Sequence, residues 1–374
     1  MKVLFSGSAR ALKFRWSTCC SDSRDRRCVE RVKSFLLFFK LCGMFANEIN
    51  KDRLKRCSRL FYGICIFWIS VYFLYVCFLF YNYLTVDSIT TRLTVDFLKH
   101  LIGYISLSVN VIAAYTSQNH FGKFFDRLDS YDYEVARMNE QRRDNLWIPW
   151  SAAFFMTIIV LLLLNVMVSE TSVGILFYVV LSDISTMIMH IYGTLEKFLI
   201  LYLMLERFKH INNKIASNVT WDEKERGSRT ITVPRLKMLY SMLYDAQQAF
   251  NDIYKNSLLI WFASLMIHVL ANIRVFREER PLIGCAFVGP SIMQLLILCA
   301  ICHYTAGEAN RIPCVLSEYM SSLANSGETM TKIDILTYFL HNRVSFEAAG
   351  FFTINLPLFH SIIAAITTYF MILI

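Results

Sequence analysis

Cys299-Ala-Ile-Cys302-His303 has a spacing that chemistry would recognise, the C-x-x-C-H pattern of covalent haem attachment. In that pattern two thiols add to vinyl groups and the histidine ligates iron. Attachment needs an accessible loop, whereas these residues end a long apolar stretch, so the favoured reading is two small apolar thiols at a polar helix end. No metal or cofactor is expected. Asp183 lies about ten residues into another apolar stretch, hence about 15 Å along a helix. A carboxyl at that depth is costly enough to suggest function, the alternative being a protonated or hydrogen-bonded Asp against Ser182, Ser185 or a neighbouring helix. His268, Asn272, Gln294 and Tyr104 lie in further apolar stretches. With Asp183, Phe177 and Phe287 they are the candidate lining of a small-molecule pocket with aromatic walls and few polar groups. For each, simple packing is the competing account. The chain has no phosphate loop, H-E-x-x-H, G-x-S-x-G or dinucleotide fingerprint, so an enzyme is not expected.

The elements that would position these residues are membrane-spanning helices. Of the 374 residues, 55% are hydrophobic and 18% charged, against about 25% charged in a soluble domain. Crossing a hydrocarbon core of roughly 30 Å takes about 20 mostly apolar residues. Seven windows qualify: 60–84, 97–116, 146–168, 174–205, 257–273, 281–305 and 348–374. The second carries Lys99 and His100 near one end and the fifth is short, so a six-helix count is the alternative. The expected fold is an all-α membrane protein, with a segment 1–59 preceding a seven-helix domain 60–374.

Orientation follows from the excess of Lys and Arg on the cytoplasmic side. With the N-terminus inside, 32 of the 38 basic residues fall in cytoplasmic segments and five on the outer side, counting Lys99 at the outer end of the second window, with Lys197 inside the fourth window. This placement also explains the net charge of +9 without nucleic acid, and seven spans put the C-terminus outside. The 11 cysteines form no secreted framework. No apolar run in the first 34 residues is long enough for a cleaved signal peptide.

Several helices are expected to project into the cytoplasm. The fourth window is long enough that Glu196 and Lys197 fall at or below the inner boundary. Leu236, Leu239, Tyr240, Leu243, Phe250 and Ile253 recur at helical spacing ahead of the fifth. Ile333, Leu336 and Leu340 predict a short amphipathic helix before the last span. Phe35–Phe45, interrupted by Lys40, is too short to cross and reads as an interfacial or packed helix.

Phe346-Glu-Ala-Ala-Gly350-Phe-Phe-Thr-Ile-Asn355 and Ile366-Thr-Thr368-Tyr369-Phe-Met-Ile-Leu-Ile374 resemble the C-terminal signature of insect gustatory receptors. That pattern is T-Y, five apolar residues, then Q-F. Thr368, Tyr369 and the apolar residues match, and Ile374 is the last residue before Gln and Phe would follow. Cys302 through Glu308-Ala309 and Phe39-Lys40-Leu41-Cys42-Gly43 support the match. The resemblance implies a tastant-gated cation channel, homo- or heterotetrameric, in the plasma membrane of sensory-neuron dendrites. It further implies a last helix lining a shared pore with Thr368, Met371, Ile372 and Ile374, and amphipathic cytoplasmic helices buried against neighbouring subunits. Gly350–Ile374 would make about 37 Å of pore helix. Phe370 stands where sugar-responsive members carry an acid, which points to a bitter or other non-sugar ligand. A G-protein-coupled receptor would need the opposite orientation, and a transporter would show saturable flux without channel currents.

The charge distribution has a direct test, because Asn218-Val-Thr220 is a glycosylation sequon in the longest cytoplasmic segment. An N-terminal epitope should be labelled only after permeabilisation, and Asn218 should stay unmodified. Glycosidase-sensitive sugar at Asn218 would reverse the orientation.

Overall fold

A computed structural model describes residues 28–50, 53–55, 59–85, 91–138, 146–170, 185–220, 231–277, 281–322 and 329–373. Two short helices, α1 (Cys28–Arg31) and α2 (Lys33–Leu41), precede a hairpin of β1 (Glu48–Asn50) and β2 (Arg53–Lys55). Then come α3 (Arg59–Thr85), α4 (Thr91–Thr116), α5 (Gln118–Ala136), α6 (Trp147–Glu170) and α7 (Ser185–Asn218). Strands β3 (Val219–Thr220) and β4 (Ile231–Thr232) pair in parallel ahead of α8 (Val233–Arg277). The chain continues through α9 (Pro281–Ser322), α10 (Thr329–His341), the hairpin β5 (Glu347–Ala348) and β6 (Phe352–Thr353), and α11 (Leu356–Leu373).

Four stretches are long and apolar enough to cross a membrane, Phe97–Thr116, Thr186–Asn213, Val233–Ile273 and Val288–Ser317. Shorter apolar runs occupy Gly63–Phe78, Trp147–Ile158 and Leu356–Ile372. Each of these seven overlaps one of the seven sequence windows. Helix α7 is the central post: it packs on α9, α6 and α4, and Ile191, Leu195, Leu199 and Leu203 are all buried. By contrast α3 is apolar all round and exposes Phe67, Phe73, Leu74 and Phe78, as a helix facing lipid does.

One helix went unpredicted. Helix α5 continues α4 with a single intervening residue, Ser117, and buries Phe121, Phe124, Phe125, Leu128, Tyr131 and Val135. Those positions recur at helical spacing, and the charged residues between them keep the segment from standing out as an apolar run. Its apolar face meets the N-terminal half of α8, where Leu236, Leu239, Tyr240, Leu243, Phe250 and Ile253 are buried. The expectation that these faces bury against neighbouring subunits is therefore corrected: α5, α9 and α10 cover them within the chain. On α10 the anchor is Phe339, whose ring lies 4.9 Å from that of Tyr240, while Leu340 is exposed. Phe35, Leu36 and Phe39 bury α2 in the same core, so it is a packed helix.

The last span also needs correction. It begins at Leu356 rather than at Ala348 or Gly350, because Ala349 (φ 51°) and Gly350 (φ 77°) turn the chain through the β5–β6 hairpin in the left-handed region. Asn355 Oδ1 then accepts a hydrogen bond from Leu358 N at 2.9 Å, an N-cap that fixes the start of α11. Its 18 residues make about 27 Å of helix, not 37 Å.

Arg207 is buried on α7, where Nε and Nη2 donate to the two carboxylate oxygens of Asp132 on α5 at 3.1 and 2.6 Å. Nη1 donates to Leu203 O at 2.7 Å. Arg31 reaches the same carboxylate, so one acid joins α1, α5 and α7. Asp132→Ala leaves a buried guanidinium uncompensated and should cost about 3–5 kcal/mol, read as a lowered melting temperature of the purified protein. Adding Arg207→Met should recover most of it.

Candidate functional site

Inside the bundle, α7, α8 and α9 bring polar side chains onto one cavity. His268, Asn272 and Leu265 of α8, Ser291 and Gln294 of α9, and Met187 and His190 of α7 line it. Its volume is about 20 Å³, room for about one water molecule. Every one of the five polar side chains is buried. The spacing explains the convergence: His268 and Asn272 are one helical turn apart, as are Thr186 and His190. Gly103 of α4 lets that helix close over the site, since a Cβ there would lie 3.2 Å from Thr186 Cγ2 and 3.4 Å from His268 Nε2.

His190 is oriented from both sides. Its Nδ1 lies 2.8 Å from the Thr186 carbonyl, which can only accept, so Nδ1 carries a proton, and Nε2 lies 3.1 Å from Ser264 Oγ, from which a neutral ring accepts. Its ring centroid is 4.6 Å from Trp261 and 5.6 Å from His268. Below it, Thr194 donates to Gln294 Oε1 at 3.0 Å and accepts from Trp261 Nε1 at 3.3 Å. The indole in turn covers Lys197, whose Nζ is 4.2 Å from the ring centroid. Lys197 donates to Asn110 Oδ1 at 3.1 Å and Gly193 O at 3.2 Å, and lies 3.8 Å from Glu196. Tyr254 donates to Glu196 Oε1 at 2.9 Å. Neither charge faces lipid, because protein surrounds both.

A second, smaller cavity lies on the other side of this layer, lined by Cys42, Met44, Trp68, Leu107, Asn110 and Met189. Burial, aided by the Glu196 carboxylate, pushes the Cys42 thiol up to about 11, so it stays protonated. Cys299 and Cys302 are both buried in the main core while His303 is exposed, an arrangement of packing thiols.

Of the sequence candidates, His268, Asn272 and Gln294 meet in the first cavity. Tyr104 is half-buried on α4 and packs against the main core without lining it. Asp183, Phe177 and Ile374 lie outside the described residues, as does the side chain of Phe287 on α9. Thr368, Tyr369, Met371 and Ile372 are exposed on α11. The sequence reading passed over His190, Thr194, Trp261 and Ser291. Thr186, His190 and Thr194 form a stripe with a four-residue step on α7, a signal that was available.

A model of the 7tm chemosensory receptors matches residues 32–374. The chain belongs to that family. Its members are chemoreceptors that form ligand-gated tetrameric channels and are not enzymes, and this receptor is a multi-pass membrane protein. Solved structures that share its fold include two of the insect olfactory receptor OR5 from Machilis hrabei. One gives a TM-score of 0.68, and the other, in complex with eugenol, 0.59. Each is 14% identical, with 92% of this chain and 97% of that chain covered. No curated protein matches the sequence.

The tightest approach in this receptor's site is at Gly193, where an added Cβ would lie 2.4 Å from Trp261 Cη2 and 2.8 Å from Cζ2. Gly193→Ala should cost about 1–3 kcal/mol through overpacking, seen as a lower melting temperature. Trp261→Phe in the same chain shortens the opposing ring and should restore part of the loss.

Proposed function

We propose that this chemosensory receptor is of the gustatory type: a subunit of a non-selective cation channel in the plasma membrane, opened by a small non-sugar tastant bound between α4, α7, α8 and α9. The observation that carries this reading is the convergence of His190, His268, Asn272, Ser291 and Gln294 on one cavity inside the helix bundle. Buried polar groups at membrane depth are expensive and concentrate where function needs them. A volume of about 20 Å³ corresponds to a closed site, so a ligand would bind by opening it. The ligand's differential affinity for the open arrangement would then supply the gating energy. The cytoplasmic N-terminus follows from the distribution of Lys and Arg. The gustatory assignment rests on Thr368, Tyr369 and the surrounding signature, and the non-sugar ligand on Phe370. Asp183, Tyr104, Phe177 and Phe287 are proposed to border the same site, with α11 lining the pore through Thr368, Met371, Ile372 and Ile374.

Expression in a cell line with current recording against a compound panel, alone and with partner subunits, tests the reading. For an active compound, His268→Phe, Asn272→Leu, Gln294→Met and Asp183→Leu should each raise the half-maximal concentration about tenfold or more, equivalent to about 1.4 kcal/mol. Surface labelling should stay near the parent level. Unchanged responses in all four would place the ligand elsewhere.

A further inference from the structure

The hydrogen bonds already made around the first cavity leave a definite remainder. His190 has both ring nitrogens engaged, one with the Thr186 carbonyl and one with Ser264 Oγ. Gln294 Oε1 accepts from Thr194, which leaves the N–H groups of its amide to donate. Asn272 and Ser291 line the same cavity, and among the described residues their side chains have no hydrogen-bond partner. Asn272, Ser291 and Gln294 are only 6%, 5% and 1% exposed, so bulk water does not satisfy them. Buried amides and hydroxyls with unmade hydrogen bonds are costly, and the cavity is the space in which those bonds can form.

Charge is missing from the same lining. Among the described residues no Asp, Glu, Lys or Arg borders the cavity. Lys197 is held beyond Trp261 by Asn110, the Gly193 carbonyl and Glu196. An ammonium or carboxylate entering here would lose its hydration with no counter-charge to receive it. Amides and a hydroxyl instead match a neutral group that both donates and accepts. The volume of about 20 Å³ fits one water, hence one oxygen-sized polar group. Met187 and Leu265 supply apolar lining for the rest of the molecule, and the unbranched thioether adapts its shape readily.

We propose that the ligand is an uncharged compound bearing a hydroxyl or carboxamide, that Asn272, Ser291 and Gln294 hold this group in the space a single water would fill, and that ammonium and carboxylate counterparts are rejected. The proposal rests on the reading of this cavity as the ligand site and adds the chemistry that the site selects.

Thermal-shift titration of the purified receptor tests it with matched compounds on benzyl, cyclohexyl and hexyl skeletons, each as alcohol, carboxamide, ammonium, carboxylate and methyl forms. On at least one skeleton the alcohol or carboxamide should bind about tenfold or more tighter than the other three forms, because a site built to hydrogen-bond rejects analogues that cannot. Asn272→Leu combined with Gln294→Met should bring that form to within about twofold of the methyl compound. Asn272→Asp, nearly isosteric, should turn the preference toward the ammonium form, and this gain keeps the test decisive if the double variant folds poorly. Ammonium or carboxylate binding as tight as the neutral form, and dependent on Asn272 and Gln294, overturns the ligand class alone. A neutral preference that survives both variants, or failure of every compound to bind, overturns the cavity reading and this proposal together. The expected order of binding in a receptor that passes no current with any partner overturns the channel reading and leaves this proposal standing.

Discussion

Lys197 is an ammonium group buried at the middle of a helix bundle that is apolar on its outside. Leaving such a charge without partners would cost several kcal/mol, and the packing of three helices answers that demand. Asn110 comes from α4, the Gly193 carbonyl and Glu196 from α7, and Trp261 and Tyr254 from α8. Each partner fixes its own helix. Gly193 has no side chain because the indole lies where a Cβ would be, and the indole lies there because it also reaches Thr194. The position of α7 against α8 is thus set by a charge and an aromatic ring together.

The candidate ligand cavity is the next layer of the same network. Thr194 connects Trp261 to Gln294, and the Trp261 ring lies tilted against His190, which neighbours His268 edge-on. A ligand that separates α7 from α8 must disturb groups that also hold Lys197. This gives the site a physical reason to respond cooperatively, since buried polar networks lose stability when only partly satisfied.

Helix α8 runs unbroken for 45 residues and links that layer to the other end of the molecule. Its C-terminal half carries Trp261, His268 and Asn272. Its N-terminal half carries Gln247 and Asn251, which hold the Ser345 carbonyl beside the hairpin that starts α11. Tyr240 donates to the Asn342 carbonyl at 2.6 Å as well. These bonds tie α8 to the segment that leads into α11. The clamp of α5 on α8, with ion pairs Arg127–Asp245 at 3.1 Å and Glu134–Arg235 at 3.3 Å, gives that half a rigid bed of its own.

Local hydrophobic periodicity was enough to determine seven apolar windows, the amphipathic run ahead of α8 and the family signature around Gly350 and Thr368-Tyr369, because each depends only on residues near one another in the chain. His268, Asn272 and Gln294 stood out as polar residues in apolar surroundings for the same reason. Tertiary structure alone decided which of them share a cavity, since that depends on how α7, α8 and α9 rotate about their axes. It also decided that α5 covers α8 within the chain, a pairing between segments more than a hundred residues apart that leaves no mark in either segment's own pattern. The start of α11 lay between the two: Gly350, Asn355 and Pro357 were present to be read, but the apolar run across them hid the turn. Backbone conformation at Ala349 and Gly350 broke a helix that hydropathy alone would have continued.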